Sequence, residues 1–440
     1  MGRANLRRLS LLCLSLLCLS LRCLIVLAVT LPGGPVMAAD LSVDGVPLPA
    51  DAKLATIAVT GSAELQRWAG VWIGSWGGDL KHILLIESVT ADGHANVVYA
   101  IGDNPSLGIS REWTRFPATI SGTRLTIDQG AFTAAYDLKN PDELMATYTR
   151  GNLRAHAIMT RADFTSLTRP GAPIEWTRGK SEFLQTDLVE GATPVRLEAV
   201  IFRPRGDGPF PLAVINHGST GQGTDPALFK RTWDDPVLAN FLNERGWIVA
   251  FPQRRGRGRS DGLYDEGFSQ DRALGYTCDL AISLAGADRA LQDIEAAITA
   301  LRRERDVAPS RILIGGQSRG GALAIAYAGT HPEQIAGVIN FVGGWVGTGC
   351  DTASRLNQAL LGRGAMFNRP TLWLYGHHDP FYQIQHSRDN FAAFQNAGGQ
   401  GTFLEFDVPG GYGHGVINFP ELWEEPVTDC LNSLAPLESR

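Results

Sequence analysis

The chain has 440 residues, 44% of them hydrophobic and 19% charged, enough for two or three domains and a large buried core. Lys and Arg number 39 against 45 Asp and Glu, a formal charge of −6, which gives no support to a general nucleic-acid binder, since that needs a clustered basic excess. Fifty glycines and 24 prolines signal many turns, without the period of collagen or the low hydrophobicity of a disordered chain.

Residues 1–38 have the layout of a secretory signal peptide. Arg3, Arg7 and Arg8 make a basic start, and Leu9 to Leu31 is an apolar run broken only by Arg22. Helix-breaking LPGGP and the residues Val36-Met37-Ala38 then favour cleavage near Ala38 over retention as a membrane anchor. The expectation is a protein exported to the periplasm or the medium, with no stable membrane partner once cleaved. Cleavage removes four arginines and no acidic residue, which leaves a formal charge of −10. It also leaves three cysteines, and Cys278 with Cys350 is the expected disulfide, since both fall in predicted loops on one edge of a sheet.

After an expected linker at 39–53, residues 54–168 read as all-β. The alternating stretches LLIESV, NVVYAI, ATISG, RLTID, FTAAYDL, LMATYTR and AHAIMT are separated by turn signals such as Ala91-Asp92-Gly93 and Asn140-Pro141-Asp142. This spacing predicts an antiparallel barrel or sandwich. The opening WAGVWIGSW, with Trp68, Trp72 and Trp76, resembles the entry strand of lipocalin-like barrels. Its tryptophans are expected in the barrel core rather than on a ligand platform.

A second linker is expected at 169–180, and the pattern then changes. From 181 to 440, apolar runs (LEAVIF, PLAVIN, WIVAFP, RILIGG, GVINFVGG, TLWLYG, TFLEFDV) alternate with helical stretches, which predicts a mainly parallel sheet covered by helices. Between RILIGG and an Ala-rich helix stands Gly316-Gln317-Ser318-Arg319-Gly320, a G-x-S-x-G sequence at a strand-to-helix turn. Such a turn exposes the serine hydroxyl and brings backbones so close that side chains at 316 and 320 would clash. A serine needs a base, and the base needs an orienting group. Asp379 follows TLWLYG and His414 follows the last strand, both on the edge that carries Ser318. Ser318 is thus the expected nucleophile, His414 the general base and then acid, and Asp379 the orienting carboxylate, with Asp351 as the rival acid. The oxyanion donors are expected to be the N–H of Arg319 and, in the loop His217-Gly218-Ser219-Thr220-Gly221, that of Ser219, with Thr220 the near alternative.

In HGSTG, WIVAFPQRRGRGRSDG, GGQSRGG and the Asp379/His414 pair, the region from about 180 onward resembles the α/β-hydrolase superfamily. The second of these segments is similar to dienelactone-hydrolase-like esterases and prolyl-oligopeptidase-like peptidases. The resemblance implies an α/β-hydrolase fold and hydrolysis through an acyl-enzyme, without metal or organic cofactor. The expected activity is cleavage of a small-molecule carboxylic ester, with a serine peptidase of the prolyl-oligopeptidase-like type as the alternative. The region before it is too short for the propeller of the prolyl-oligopeptidase-like peptidases. A loop-rich segment at 256–287, with Tyr264, Phe268 and Tyr276, sits where a lid would be inserted and is expected to select substrate.

Three further features invite other readings. The run from Arg254 to Arg259 looks like a nucleic-acid tract, but in an acidic chain its arginines are expected to pair with Asp261, Asp265 and Glu266. The Arg319 side chain either meets an anionic substrate group or pairs with a loop acid. His377, His378, Asp379 and His414 can be drawn as a metal cluster, so a metallohydrolase is the alternative of another class. A secreted binding protein without catalysis is a third.

Overall fold

The computed structural model describes residues 41–434, apart from 53–61, 106–107, 152, 168 and 170–173. The expected signal and cleavage site lie outside the described residues, as do parts of both expected linkers. The 39–53 stretch is more than a connector, because β1 (Leu41–Val43) and β2 (Val46–Leu48) form a hairpin. Asp44 and Gly45 turn it with φ of 46° and 88°, a conformation suited to Asp-Gly. Its Val43, Val46 and Leu48 are buried against the outer face of the barrel.

That barrel is closed, and eight antiparallel strands build it: β3 (Gly70–Trp76), β4 (Leu80–Val89), β5 (His94–Ile101), β6 (Glu112–Ser121), β7 (Arg124–Asp128), β8 (Thr133–Asn140), β9 (Glu143–Arg150) and β10 (Leu153–Ala162), with β10 returning to β3. Alternation sets its inside. In β7, for example, Leu125 and Ile127 join the core while Arg124 and Asp128 are exposed. Trp68, Trp72 and Trp76 all lie in that core, as expected. His82 is buried there too, bonded to the Ala100 carbonyl and the Tyr136 hydroxyl, both at 2.9 Å, and burial pushes its pKa down to about 3.

The second sheet contains β11 (Lys180–Glu190), β12 (Thr193–Phe202), β13 (Phe210–Asn216), β14 (Ile248–Pro252), β15 (Val307–Gln317), β16 (Gly337–Phe341), β17 (Thr371–Gly376) and β18 (Gly401–Phe406). Their order is β11-β12-β14-β13-β15-β16-β17-β18. The first two strands run antiparallel, and every pairing from β14 to β18 is parallel. The inner strands β13, β14, β16 and β17 are buried along most of their length because helices cover both faces, which is why they read as continuous apolar runs, whereas β18 at the edge is only partly covered. Edge strand β11 alternates exposed and covered residues, and that polar pattern hid it from the apolar-run reading. The helix expected from Asp288 begins earlier, at Leu280, because Asp279 caps it by accepting from the Ile282 N–H at 2.9 Å. The last residues of the expected lid are therefore the first turns of this helix.

Cys278 and Cys350 form a disulfide, which ties the segment before that helix to the loop after β16. Cys430 remains a half-buried thiol whose pKa burial raises to about 11, so it carries little thiolate at neutral pH. The disulfide spans 72 residues of sequence. Replacing both cysteines by serine should destabilise the second domain by about 2–4 kcal/mol, read from the shift of its denaturant midpoint. An unchanged midpoint would mean that other contacts already close this loop.

Candidate active site

The turn at Ser318 is built from absent side chains. A Cβ on Gly320 would stand 2.0 Å from the Asn216 carbonyl oxygen, and one on Gly316 would stand 2.4 Å from the carbonyl carbon of Gly320. Only glycine lets the helix Arg319–Thr330 start directly against the end of β13. Ser318 itself has φ 58° and ψ −122°, a non-glycine residue on the left-handed side that costs about 1–3 kcal/mol. Main-chain bonds hold it there. Its N–H donates to the Phe341 carbonyl at 2.9 Å, and its carbonyl accepts from Gly321, Ala322 and Gly344 at 3.0 to 3.2 Å.

The other expected residues gather around this turn. His414 Nδ1 lies 2.8 Å from Asp379 Oδ2. The carboxylate is fixed in turn, because its Oδ1 accepts from the N–H groups of Phe381 at 2.8 Å and Tyr382 at 3.0 Å. With Nδ1–H donated to Asp379, His414 Nε2 is left as the basic nitrogen. The two turns touch through glycine, since a Cβ on Gly413 would lie 2.1 Å from the His377 carbonyl oxygen. Gln317, the neighbour of Ser318, donates to the His414 carbonyl at 3.4 Å. Asp351 is exposed and follows the disulfide, whereas the imidazole is bonded to Asp379. The loop His217–Gly221 passes just as close, for a Cβ on Gly218 would be 3.1 Å from Ser318 Cβ.

Tyr382 is a component that sequence motifs did not single out. Its hydroxyl donates to the Gly344 carbonyl at 2.7 Å and lies 3.5 Å from Ser318 Oγ. Its ring centroid is 5.6 Å from that of His414. Burial pushes its pKa up to about 12, so it is a neutral phenol beside both Ser318 and His414. The available signal was its place three residues after Asp379, close enough in sequence to share that turn.

The Arg319 side chain is paired rather than free. Its Nη1 donates to the Glu266 main-chain carbonyl at 2.9 Å and lies 3.5 Å from Glu266 Oε2. The guanidinium also sits between the rings of Tyr276 and Trp345, at 3.7 and 4.4 Å from their centroids. The arginine run is likewise internal. Arg254 pairs with Glu266 at 2.5 Å, Arg255 with Asp293 at 2.5 Å and Arg259 with Glu198 at 2.8 Å, while Asp261 pairs instead with Arg196. Of the three acids expected as partners, only Glu266 serves the run, because β12 and the helix Leu280–Leu301 bring Glu198 and Asp293 within reach. His377 pairs with Glu405 at 3.4 Å. A cavity of about 510 Å³ between β11 and the helix Leu280–Leu301 is lined by none of Ser318, Asp379 and His414.

Residues 234–349 match the family model described as serine aminopeptidase, S33, and this stretch includes the turn at Ser318. The C-terminal domain has the α/β-hydrolase fold, a mainly parallel sheet flanked by helices. No curated protein matches the chain. Solved structures similar to it include a CIB-like hydrolase from Thermoplasma acidophilum, with 21% identity over 58% of this chain and 99% of that one and a TM-score of 0.38. The esterase Pf2001 of Pyrococcus furiosus has 15% identity over 59% and 96% of the two chains, at a TM-score of 0.41. A prolyl endopeptidase has 16% identity over 80% of this chain and 63% of its own, at 0.39.

Within the C-terminal domain, the turn carrying His414 also touches the barrel. His156 Nε2 donates to the Asn418 carbonyl at 2.8 Å, at the end of the turn Gly413–Asn418, and Thr147 Oγ1 bonds its Nδ1 at 3.1 Å. Arg154 pairs with Glu421 at 2.6 Å on the following helix.

Close packing at Ser318 can be tested apart from chemistry. Gly320→Ala should cost about 2 kcal/mol or more in stability, since neither neighbouring backbone can yield. Gly349→Ala, at an exposed glycine with nothing within 4 Å of its Cβ position, should stay within about 0.5 kcal/mol. Equal unfolding midpoints for the two variants would contradict the contact at Asn216.

Proposed function

We propose that this protein is an exported serine hydrolase that cleaves carboxylic esters through an acyl-enzyme. The observation that carries the reading is the hydrogen bond from His414 to Asp379, beside a serine held in a strained strand-to-helix turn. Ser318 Oγ attacks the ester carbonyl carbon while His414 Nε2 takes its proton. The oxyanion is held by the N–H groups of Arg319 and Ser219. The carbon–oxygen bond to the alcohol then breaks as His414 returns the proton to the leaving oxygen. Water, deprotonated by the same imidazole, releases the acid and restores Ser318.

The Arg319 N–H suits this role because it opens a helix and has no carbonyl to meet within it. The Cys278–Cys350 disulfide supports export, since such bonds persist in oxidising compartments. A small eight-stranded barrel stands where the prolyl-oligopeptidase-like peptidases carry a propeller, which favours esters over peptides. Tyr264 and Phe268 bear less on substrate choice than expected, because both are buried and pack with Phe229 and Tyr276.

A fluorophosphonate probe on the mature protein should label Ser318 and abolish turnover of a chromogenic ester panel. Asp379→Asn should lower kcat by a factor on the order of 10⁴ with the fold intact. Turnover of prolyl peptides but not esters would move the assignment to a peptidase. Chelator-sensitive activity without labelling would move it to a metallohydrolase.

A further inference from the structure

A line of polar groups runs from a buried carboxylate to the oxyanion loop, and the direction of every hydrogen bond in it can be assigned. Glu266 is buried. Burial alone would raise its pKa, but the charges of Arg254 and Arg319 outweigh that and hold it below the ordinary value. As a carboxylate it only accepts. Tyr264 lies 3.0 Å from Glu266 Oε2 and therefore spends its one proton there. The 2.7 Å contact between the Tyr264 and Tyr276 hydroxyls must then be donated by Tyr276. Its proton being used, the Tyr276 oxygen accepts at its other end, from the Thr220 N–H at 3.2 Å and the Thr220 hydroxyl at 2.7 Å.

The consequence falls on the loop after β13. Both protons of Thr220 are turned toward Tyr276. That removes Thr220 from the two candidates, whereas the Ser219 N–H, like those of Gly218 and Gly221, has no protein acceptor among the described residues. Tyr276 is itself held firmly. Its N–H donates to the Gln222 carbonyl at 3.0 Å, and a Cβ on the preceding Gly275 would lie 2.1 Å from the Gln222 oxygen. Two residues further on, Cys278 is bonded to Cys350.

We infer that Tyr276 is a positioning residue for catalysis, holding Thr220 so that the adjacent Ser219 N–H faces the developing oxyanion, with Glu266 setting the direction of the relay. This rests on Ser318 being the nucleophile.

Tyr276→Phe keeps the ring on Arg319 and removes the acceptor for Thr220. Its kcat on a chromogenic ester should fall about 10–100-fold with KM changed less than about twofold. The inhibition constant of a trifluoromethyl ketone, which forms an oxyanion on Ser318, should rise by the same factor. A purely structural role would lower the melting temperature and leave kcat and ketone affinity per folded molecule unchanged, and that result overturns the inference. If Tyr276→Phe does not fold, Tyr264→Phe gives the same readout through loss of the acceptor for the Tyr276 proton, with a smaller expected loss of about 3–10-fold. Ketone affinity equal to wild type there also overturns the relay. Failure of a fluorophosphonate to label Ser318 in the wild-type protein removes the hydrolase reading and the relay together, whereas normal labelling with an unaffected variant removes the relay alone.

Discussion

The whole site depends on how closely one backbone approaches another, at the contact between Gly320 and the carbonyl of Asn216. β13 ends at Asn216, paired with Gly316 of β15. The helix after Ser318 starts against that end only because positions 316 and 320 carry no Cβ. That approach lets the first turn of a helix and the loop His217–Gly221 share one edge. Ser318 meets the backbone strain of the turn with four main-chain hydrogen bonds, one given and three accepted. Net bonds of about 1 kcal/mol each are of the size needed to offset a strained φ. Strain at this residue is held by the frame around it rather than relieved by it.

Electrostatics under the turn follows a different rule, since it depends on pairing in a dry interior. Arg254, Arg319 and Glu266 are each about 3% exposed or less. Burying such charges costs several kcal/mol per ion, and removing one partner leaves the other uncompensated. Three arginines lie close to this one carboxylate, for Arg257 is buried as well and its Nε has no partner among the described residues. His217 responds to that excess. Burial first, then the charges of Arg254 and Arg257, push it well below the usual imidazole range. It is therefore neutral, and its Nε2 accepts from the Arg254 N–H at 3.2 Å. The arginine run that resembled a nucleic-acid tract is in this way the positive side of an internal network.

The barrel is drawn into the same frame through the His414 turn. Because the Asn418 carbonyl can only accept, His156 must carry its proton on Nε2, and Nδ1 then accepts from Thr147. Burial lowers the His156 pKa, which keeps this neutral tautomer in place. Arg154 adds an ion pair to Glu421 and lies 4.8 Å over the Phe419 ring. The proposed base is thus braced from two sides, by Asp379 through its ring and by the barrel through the end of its turn.

Local signals made most of this legible. A strand, G-x-S-x-G and an Ala-rich helix specify the turn at Ser318 by their order alone, and period-two alternation with turn residues announced the eight barrel strands. Asp379 and His414 stood out because each follows a strand run that ends on the same edge of the sheet, β17 buried and β18 partly covered. What sequence could not show is which distant groups meet. Glu198 and Asp293 are ordinary acids until the sheet and the helix Leu280–Leu301 bring them to the arginine run. Tyr276 read as a lid aromatic because a phenol within a loop carries no sign of its partner. The choice between Ser219 and Thr220 is of the same kind, since both stand in one glycine-rich loop and either N–H could turn to the pocket. The inference in favour of Ser219 comes from counting protons along a chain that begins at Glu266, 46 or more residues away in sequence. Such a count needs every donor and acceptor in place, and only the folded chain supplies them.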